Sequence, residues 1–125
     1  MNDVNIEPKI FVLPSTVRID SDATIICGWS SRVQPFEVSW WIKKAKKLKQ
    51  HKIATAHMSM GTETIEDAFK TRASILQQKQ PHEISLRLSE ITEDSRVTCV
   101  INVVRADNTR RAENSSENFH VYCKF

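Results

Sequence analysis

The sequence of 125 residues predicts an all-β fold, a sandwich or a barrel, from three observations. Apolar residues recur with period two rather than with the helical period. The runs that carry the alternation are short, rich in Val, Ile and Thr, and separated by polar turn-forming clusters. No alternation of strand-like and helix-like segments is visible, so a parallel βαβ sheet is not suggested.

The expected strands follow in order. Lys9 to Leu13 reads as the first strand, stopped by Pro14, with Thr16 to Ile19 continuing it after a kink. Ala23 to Trp29 is the second, with Ala23, Ile25, Cys27 and Trp29 on one face. Phe36 to Lys43 is the third. There Phe36, Val38, Trp40 and Ile42 share one face, and Glu37, Ser39, Trp41 and Lys43 share the other. Ile53 to Met58 and Arg72 to Gln77 are short strands. Glu83 to Leu88 turns Ile84, Leu86 and Leu88 inward, and Arg96 to Val104 does the same with Val97, Cys99, Ile101 and Val103. Asn118 to Phe125 is the last strand, with Phe119, Val121 and Cys123 on one face. The lysine run, Thr62 to Lys70, Gln77 to Pro81 and Ala106 to Ser116 are read as connections. Thr62 to Phe69 could instead form a helical turn.

Length and composition bound the function. The chain has the size of one domain, spanning 1–125, with residues 1–8 expected to be a flexible lead-in. Hydrophobic residues at 40% and charged residues at 26% are ordinary for a folded globular domain, so disorder is not indicated. No apolar stretch approaches the ~20 residues of a membrane helix, so no direct membrane insertion is expected. Two glycines, Gly28 and Gly61, are too few and too far apart for a phosphate-cradling loop. The N-terminus, Met1 to Glu7, has neither a basic nor an apolar leader region, so it is not a signal peptide. If the protein is extracellular, its leader has been removed. The net charge is +3, but Lys43, Lys44, Lys46, Lys47, Lys49 and Lys52 concentrate positive charge in one place.

Cys27 and Cys99 each lie on the inward face of a strand, and Trp40 lies inward on the strand between them. Cysteine, tryptophan and cysteine on three separate strands form the hallmark of the immunoglobulin sandwich. The chain resembles the immunoglobulin superfamily over nearly its whole length. The cysteines are 72 residues apart, which is similar to the longer V-set domains. Val38-Ser39-Trp40 resembles the family's third-strand motif, and Phe69-Lys70-Thr71-Arg72-Ala73-Ser74-Ile75 resembles the V-set D-strand opening. Leu86, Ile91 and Asp94 before Cys99 complete the pattern. There are departures. Val97 stands where the family has its corner tyrosine, Ser95 where it has a glycine, and the last strand lacks the glycine bulge of antibody variable domains. An antibody or T-cell-receptor chain is therefore not expected, and the V, I and C sets all stay open.

The resemblance implies an inter-sheet disulfide between Cys27 and Cys99, packed against a core of Trp40, Leu86 and Leu88, and a salt bridge between Arg72 and Asp94. The alternative is a pair of buried free thiols, as in intracellular modules of this fold. A disulfide implies an oxidising compartment. Asn114-Ser115-Ser116 fits a glycosylation sequon and points the same way, though such triplets occur often by chance. Cys123 is left over, either a buried free thiol or a bridge to another domain or chain.

No catalytic constellation can be placed: Glu93 and Asp94 are adjacent and diverge on a strand, and no serine–histidine or cysteine–histidine set emerges from spacing. The four histidines, at 51, 57, 82 and 120, lack the paired spacing of a zinc site, so neither metal nor cofactor is expected. The family implies recognition of another protein, cell-surface or secreted. If Trp40 points inward, Trp41 points outward, and exposed tryptophan is enriched at binding hot spots. Trp41 with Lys43, Lys46 and Lys47 is the candidate binding patch. Alternatively, Trp41 packs beneath the lysine loop or a neighbouring strand, and the lysines form a solvated hairpin tip. The lysines also suit an acidic partner, including an acidic glycan. They lack interleaved aromatics, so nucleic acid is not suggested. Three functions compete: a receptor, adhesion or ligand ectodomain; a secreted immune-modulating decoy, host or viral; and an intracellular structural module.

Overall fold

A computed structural model describes residues 5–123, and within them the period-two runs become strands. In chain order these are β1 (Lys9–Leu13), β2 (Thr16–Arg18), β3 (Ser21–Gly28), β4 (Glu37–Lys44), β5 (His51–His57), β6 (Thr62–Ile65), β7 (Ala73–Ile75), β8 (Glu83–Ile91), β9 (Ser95–Val104) and β10 (Arg110–Tyr122). One 3-10 turn, Asp67–Phe69, links β6 to β7. The strands form two sheets, in the orders β1-β3-β8-β7 and β2-β10-β9-β4-β5-β6. At the cis Leu13–Pro14 peptide the chain leaves the first sheet for the second, where β2 pairs parallel with β10. The other pairs are antiparallel.

Burial follows the alternation. On β3, Ala23, Ile25 and Cys27 are buried, and Trp29 lies just beyond the strand. On β4, Val38, Trp40 and Ile42 face the core, joined by Val97, Cys99, Ile101 and Phe119 from the same sheet and by Leu86 and Leu88 from the facing one. A disulfide joins Cys27 to Cys99 across the core, with Cα atoms 5.9 Å apart. That spacing is ordinary for a disulfide. Trp40 lies directly beside it, paired in register with Cys99. Its indole N–H donates to the Ile25 carbonyl of the opposite sheet at 3.2 Å. The largest polar group in the core is thus satisfied across the layer gap.

Several expectations need correction. The segment 106–116 is not a connection. β10 begins at Arg110 and pairs residue by residue with β9, so the true turn is only 105–109. Its first half, Arg-Arg-Ala-Glu-Asn-Ser-Ser-Glu, buries no apolar side chain and is held by backbone pairing, so hydrophobic alternation could not reveal it. Thr62–Ile65 is an edge strand, with only the following residues helical. Gly61, at φ +67°, closes the β5–β6 hairpin in a conformation that favours glycine. Phe36 is only half-buried and stacks under Arg110 instead of facing the core, its ring centroid 5.2 Å from the guanidinium. Within residues 5–8, Ile6 is fully buried and its carbonyl accepts the Ser30 N–H at 2.8 Å. Residues 1–4, 124 and 125 lie outside the described residues, including the expected end of the last strand.

The β9–β10 turn is fastened by Asp107. Its carboxylate accepts the Thr109 hydroxyl at 2.6 Å and the Thr109 N–H at 3.0 Å. These bonds, with Arg105 nearby, hold the Asp107 pKa below the usual carboxylate value. A lowered folded-state pKa means that the turn's contribution is present above the ordinary carboxylate pKa and fades as pH falls through the lowered value. In a carbon-detected NMR titration, Thr109→Val is expected to move the Asp107 midpoint back up. Identical midpoints in the two proteins would remove the Thr109 explanation. The disulfide closes a loop of 72 residues, worth roughly 4 kcal/mol in the chain-entropy picture. Urea unfolding of a Cys27→Ala/Cys99→Ala protein should show a loss of this order, and an unchanged midpoint would contradict it.

Candidate functional site

The outer face of the six-stranded sheet carries the residues that alternate with the core. On β4 these are Glu37, Ser39, Trp41 and Lys43. Register places Val100 and then Asn114 beside Ser39, and Thr98 and then Ser116 beside Trp41. Polar pairs order this face. The Trp41 indole N–H donates to Ser39 Oγ at 3.0 Å, and the Thr98 and Ser116 hydroxyls are 2.7 Å apart.

A bulge decides what lies beside Trp41. β4 and β5 slip register between Trp40 and Trp41, so Trp40 faces Ala54 while Trp41 faces Lys52, with Ile53 as the extra residue. Ile53 and Ala54 are consequently both buried, which breaks the alternation of β5. Lys52 lies over the Trp41 ring, 5.1 Å from its centroid. Contacts of this kind contribute about 0.5–1 kcal/mol at exposed sites. Trp41 is therefore outward, as alternation requires, but half-buried, with Lys52 as a partial cover.

The candidate lysines do not form one patch with it. Lys43 lies on the Trp41 face and pairs in register with Arg96. Lys46 and Lys47 sit at the exposed β4–β5 tip and line a groove that reaches Lys52 but not Trp41. Asn114 is exposed, but on β10 and not in a loop, on the same sheet face as Trp41. Cys123 is a free, exposed thiol, so the buried alternative does not hold.

The expected pair of Arg72 with Asp94 is not formed. Arg72 stacks on Phe69, 4.9 Å from the ring centroid, and donates to the Glu90 carbonyl at 3.3 Å. The Asp94 carboxylate instead accepts the Val121 N–H at 2.7 Å, fastening the end of β10, with His120 3.8 Å away. The sequence offered the two charges, but Glu90, at φ 57°, and the β8–β9 turn lead the chain so that each finds a nearer partner.

One arrangement has no signature in the spacing of its residues along the chain. His57 Nε2 is 3.0 Å from Thr64 Oγ1, and its Nδ1 is 3.9 Å from the Glu37 carboxylate. The order hydroxyl, imidazole, carboxylate resembles a catalytic relay, but 3.9 Å is not a hydrogen bond. The three side chains bridge β4, β5 and β6 on an open sheet face, without the water-excluding pocket that acyl transfer needs. Their role is to tie the edge strand down. Among the described residues no cluster of His, Cys, Asp and Glu could hold a metal ion, and no helix is long and apolar enough to cross a membrane.

The two sheets, read as A-B-E-D and A′-G-F-C-C′-C″, have the strand order of variable-type sandwiches, with β5 and β6 as the added pair. A solved structure of murine CRIg superposes with a TM-score of 0.68, covering 93% of this chain and 98% of that one at 16% sequence identity. The fold is immunoglobulin-like. No family model matches the chain, and no curated protein matches its sequence.

A double-mutant cycle checks the reassigned charges. Asp94→Ala is expected to cost about 1 kcal/mol through the lost acceptor of Val121 N–H. Its coupling to Arg72→Ala should stay below about 0.5 kcal/mol. A coupling of about 1 kcal/mol or more would reinstate the pair.

Proposed function

We propose that this chain is an extracellular, non-enzymatic recognition domain that binds another protein through the outer face of its six-stranded sheet, centred on Trp41. The observation that carries this reading is the placement of Trp41: outward on the central strand β4, oriented by Ser39 and partly covered by the Lys52 side chain. A long, flexible lysine is displaced from an indole more easily than a packed strand, and tryptophan dominates hot spots when a partner excludes water from it.

The buried disulfide supports an oxidising, extracellular setting over an intracellular module. The likeness to CRIg supports the fold on which this reading stands. Lys43 would form the near rim of the contact, while Lys46 and Lys47, at the hairpin tip, lie outside it. We further propose that Asn114 carries a glycan. Two strand spacings separate it from Ser39, about 10 Å. A glycan there would bound the contact on its β10 side and confine the partner to the β4–β5 half.

The test is a screen of multimerised wild-type chain against cell-surface and secreted ectodomains, repeated with Trp41→Ala. The variant is expected to stay folded with a somewhat lowered thermal midpoint and to lose at least about tenfold in affinity for whatever partner is recovered. Undiminished binding by a folded variant would overturn the assignment of the face.

A further inference from the structure

The β4–β5 hairpin encloses more than a solvated tip. Ala45 N–H bonds to the Asp94 carbonyl at 2.9 Å and Lys47 N–H to the Lys44 carbonyl at 3.0 Å, so the tip is a formed turn. Opposite it, Glu66 N–H bonds to the Ile53 carbonyl at 2.9 Å and turns the chain from β6 into the 3-10 segment. Between these walls lies an open groove of about 1130 Å³.

Its lining has two characters. Six lysines and Arg72 face it, against two carboxylates, Glu66 and Asp67. Asp67 is already paired with Lys70 at 3.0 Å. Lys44 is paired outside the groove, with Glu93 at 3.4 Å. Lys46, Lys47 and Lys49 have no anionic partner among the described residues. Apolar surface accompanies them: Ile65, Ala68 and the edge of Phe69, with Leu48 on the tip 99% exposed. Trp41 is outside this lining.

We infer that this groove takes an acidic, extended peptide segment of a partner protein, one that places carboxylates against Lys46, Lys47 and Lys49 and an apolar side chain against Leu48 and Ile65. Charge complementarity selects the acidic character, because the free cations converge on a concavity that already holds little negative charge. The apolar lining selects the peptide. A sulfated glycan has no apolar side chain to cover Leu48 and Ile65. A flat anionic bilayer could meet the tip but not the surface between the walls. The inference rests on the reading of the chain as a protein-binding domain and adds a second contact, with its chemistry, to the Trp41 face.

The probe is a fluorescein-labelled peptide, Glu-Glu-Asp-Leu-Phe-Asp-Glu-Glu, titrated by anisotropy with the whole chain. Binding is expected to weaken at least about tenfold when salt rises from about 50 to about 300 mM. Lys46→Glu/Lys49→Glu should weaken it at least about tenfold at low salt, as should replacing Leu-Phe in the peptide by Ser-Ser. Both lysines are exposed, so the variant's thermal midpoint should not move. Trp41 is outside the lining but Lys52 touches both, so Trp41→Ala should weaken peptide binding far less than Lys46→Glu/Lys49→Glu does, and failure of the groove and failure of the Trp41 face are read separately. No binding, equal binding of the Ser-Ser peptide, or tighter binding of a heparin oligosaccharide or of phosphatidylserine vesicles would overturn the inference.

Discussion

The pin formed by Cys27, Cys99 and Trp40 is the constraint from which the remaining geometry follows. The disulfide ties β3 of one sheet to β9 of the other, and the indole fills the space beside it while bonding back to the Ile25 carbonyl. Two sheets that must both accommodate these three groups have little freedom to slide, because close-packed interiors do not tolerate a shifted indole. A slip of one residue on β4 would turn Trp40 out and bring Trp41, Lys43 and Glu37 into the core, at the cost of burying two charges.

The outer face inherits its order from that inner register. With Trp40 fixed inward, Trp41 has to emerge, and the bulge in β5 then brings Lys52 opposite it. The same hairpin places Lys43 on the Trp41 face and its tip lysines on a groove that Trp41 does not line. One stretch of basic sequence thus serves two surfaces: a flat sheet face organised by an aromatic ring, and a groove with free cations over apolar side chains. Surface charge of this kind does little for the stability of the fold, since exposed pairs contribute at most about 1 kcal/mol. Its physical effect is on association, through complementarity and steering.

Where the two levels of description diverge, the cause is local. The polar first half of β10 has no apolar face, and its thirteen-residue strand exists because β9 supplies a backbone ladder. The edge strand β6 lacks an apolar signal for the same reason, being exposed along most of its length. Arg72 and Asp94 matched a family pattern in sequence, yet a pairing depends on distances that the β8–β9 turn sets. Cys123 alternates correctly with Phe119 but lies past the end of β10, where alternation no longer implies cover.

The sequence by itself determined the β-sandwich, the inward set of Cys27, Trp40, Leu86, Leu88 and Cys99, and the outward direction of Trp41. The inward and outward sets follow from a side-chain period of two, a local property of extended backbone, and the choice of a sandwich from cysteine, tryptophan and cysteine on three separate strands. Only the tertiary structure decided that Lys52 shields Trp41, that Asn114 shares its face, and that the tip lysines border a groove against Ile65 and Phe69. Those relations join residues distant along the chain, and they are fixed by strand register, by one bulge and by the turn after β6, none of which has a periodic signature in sequence.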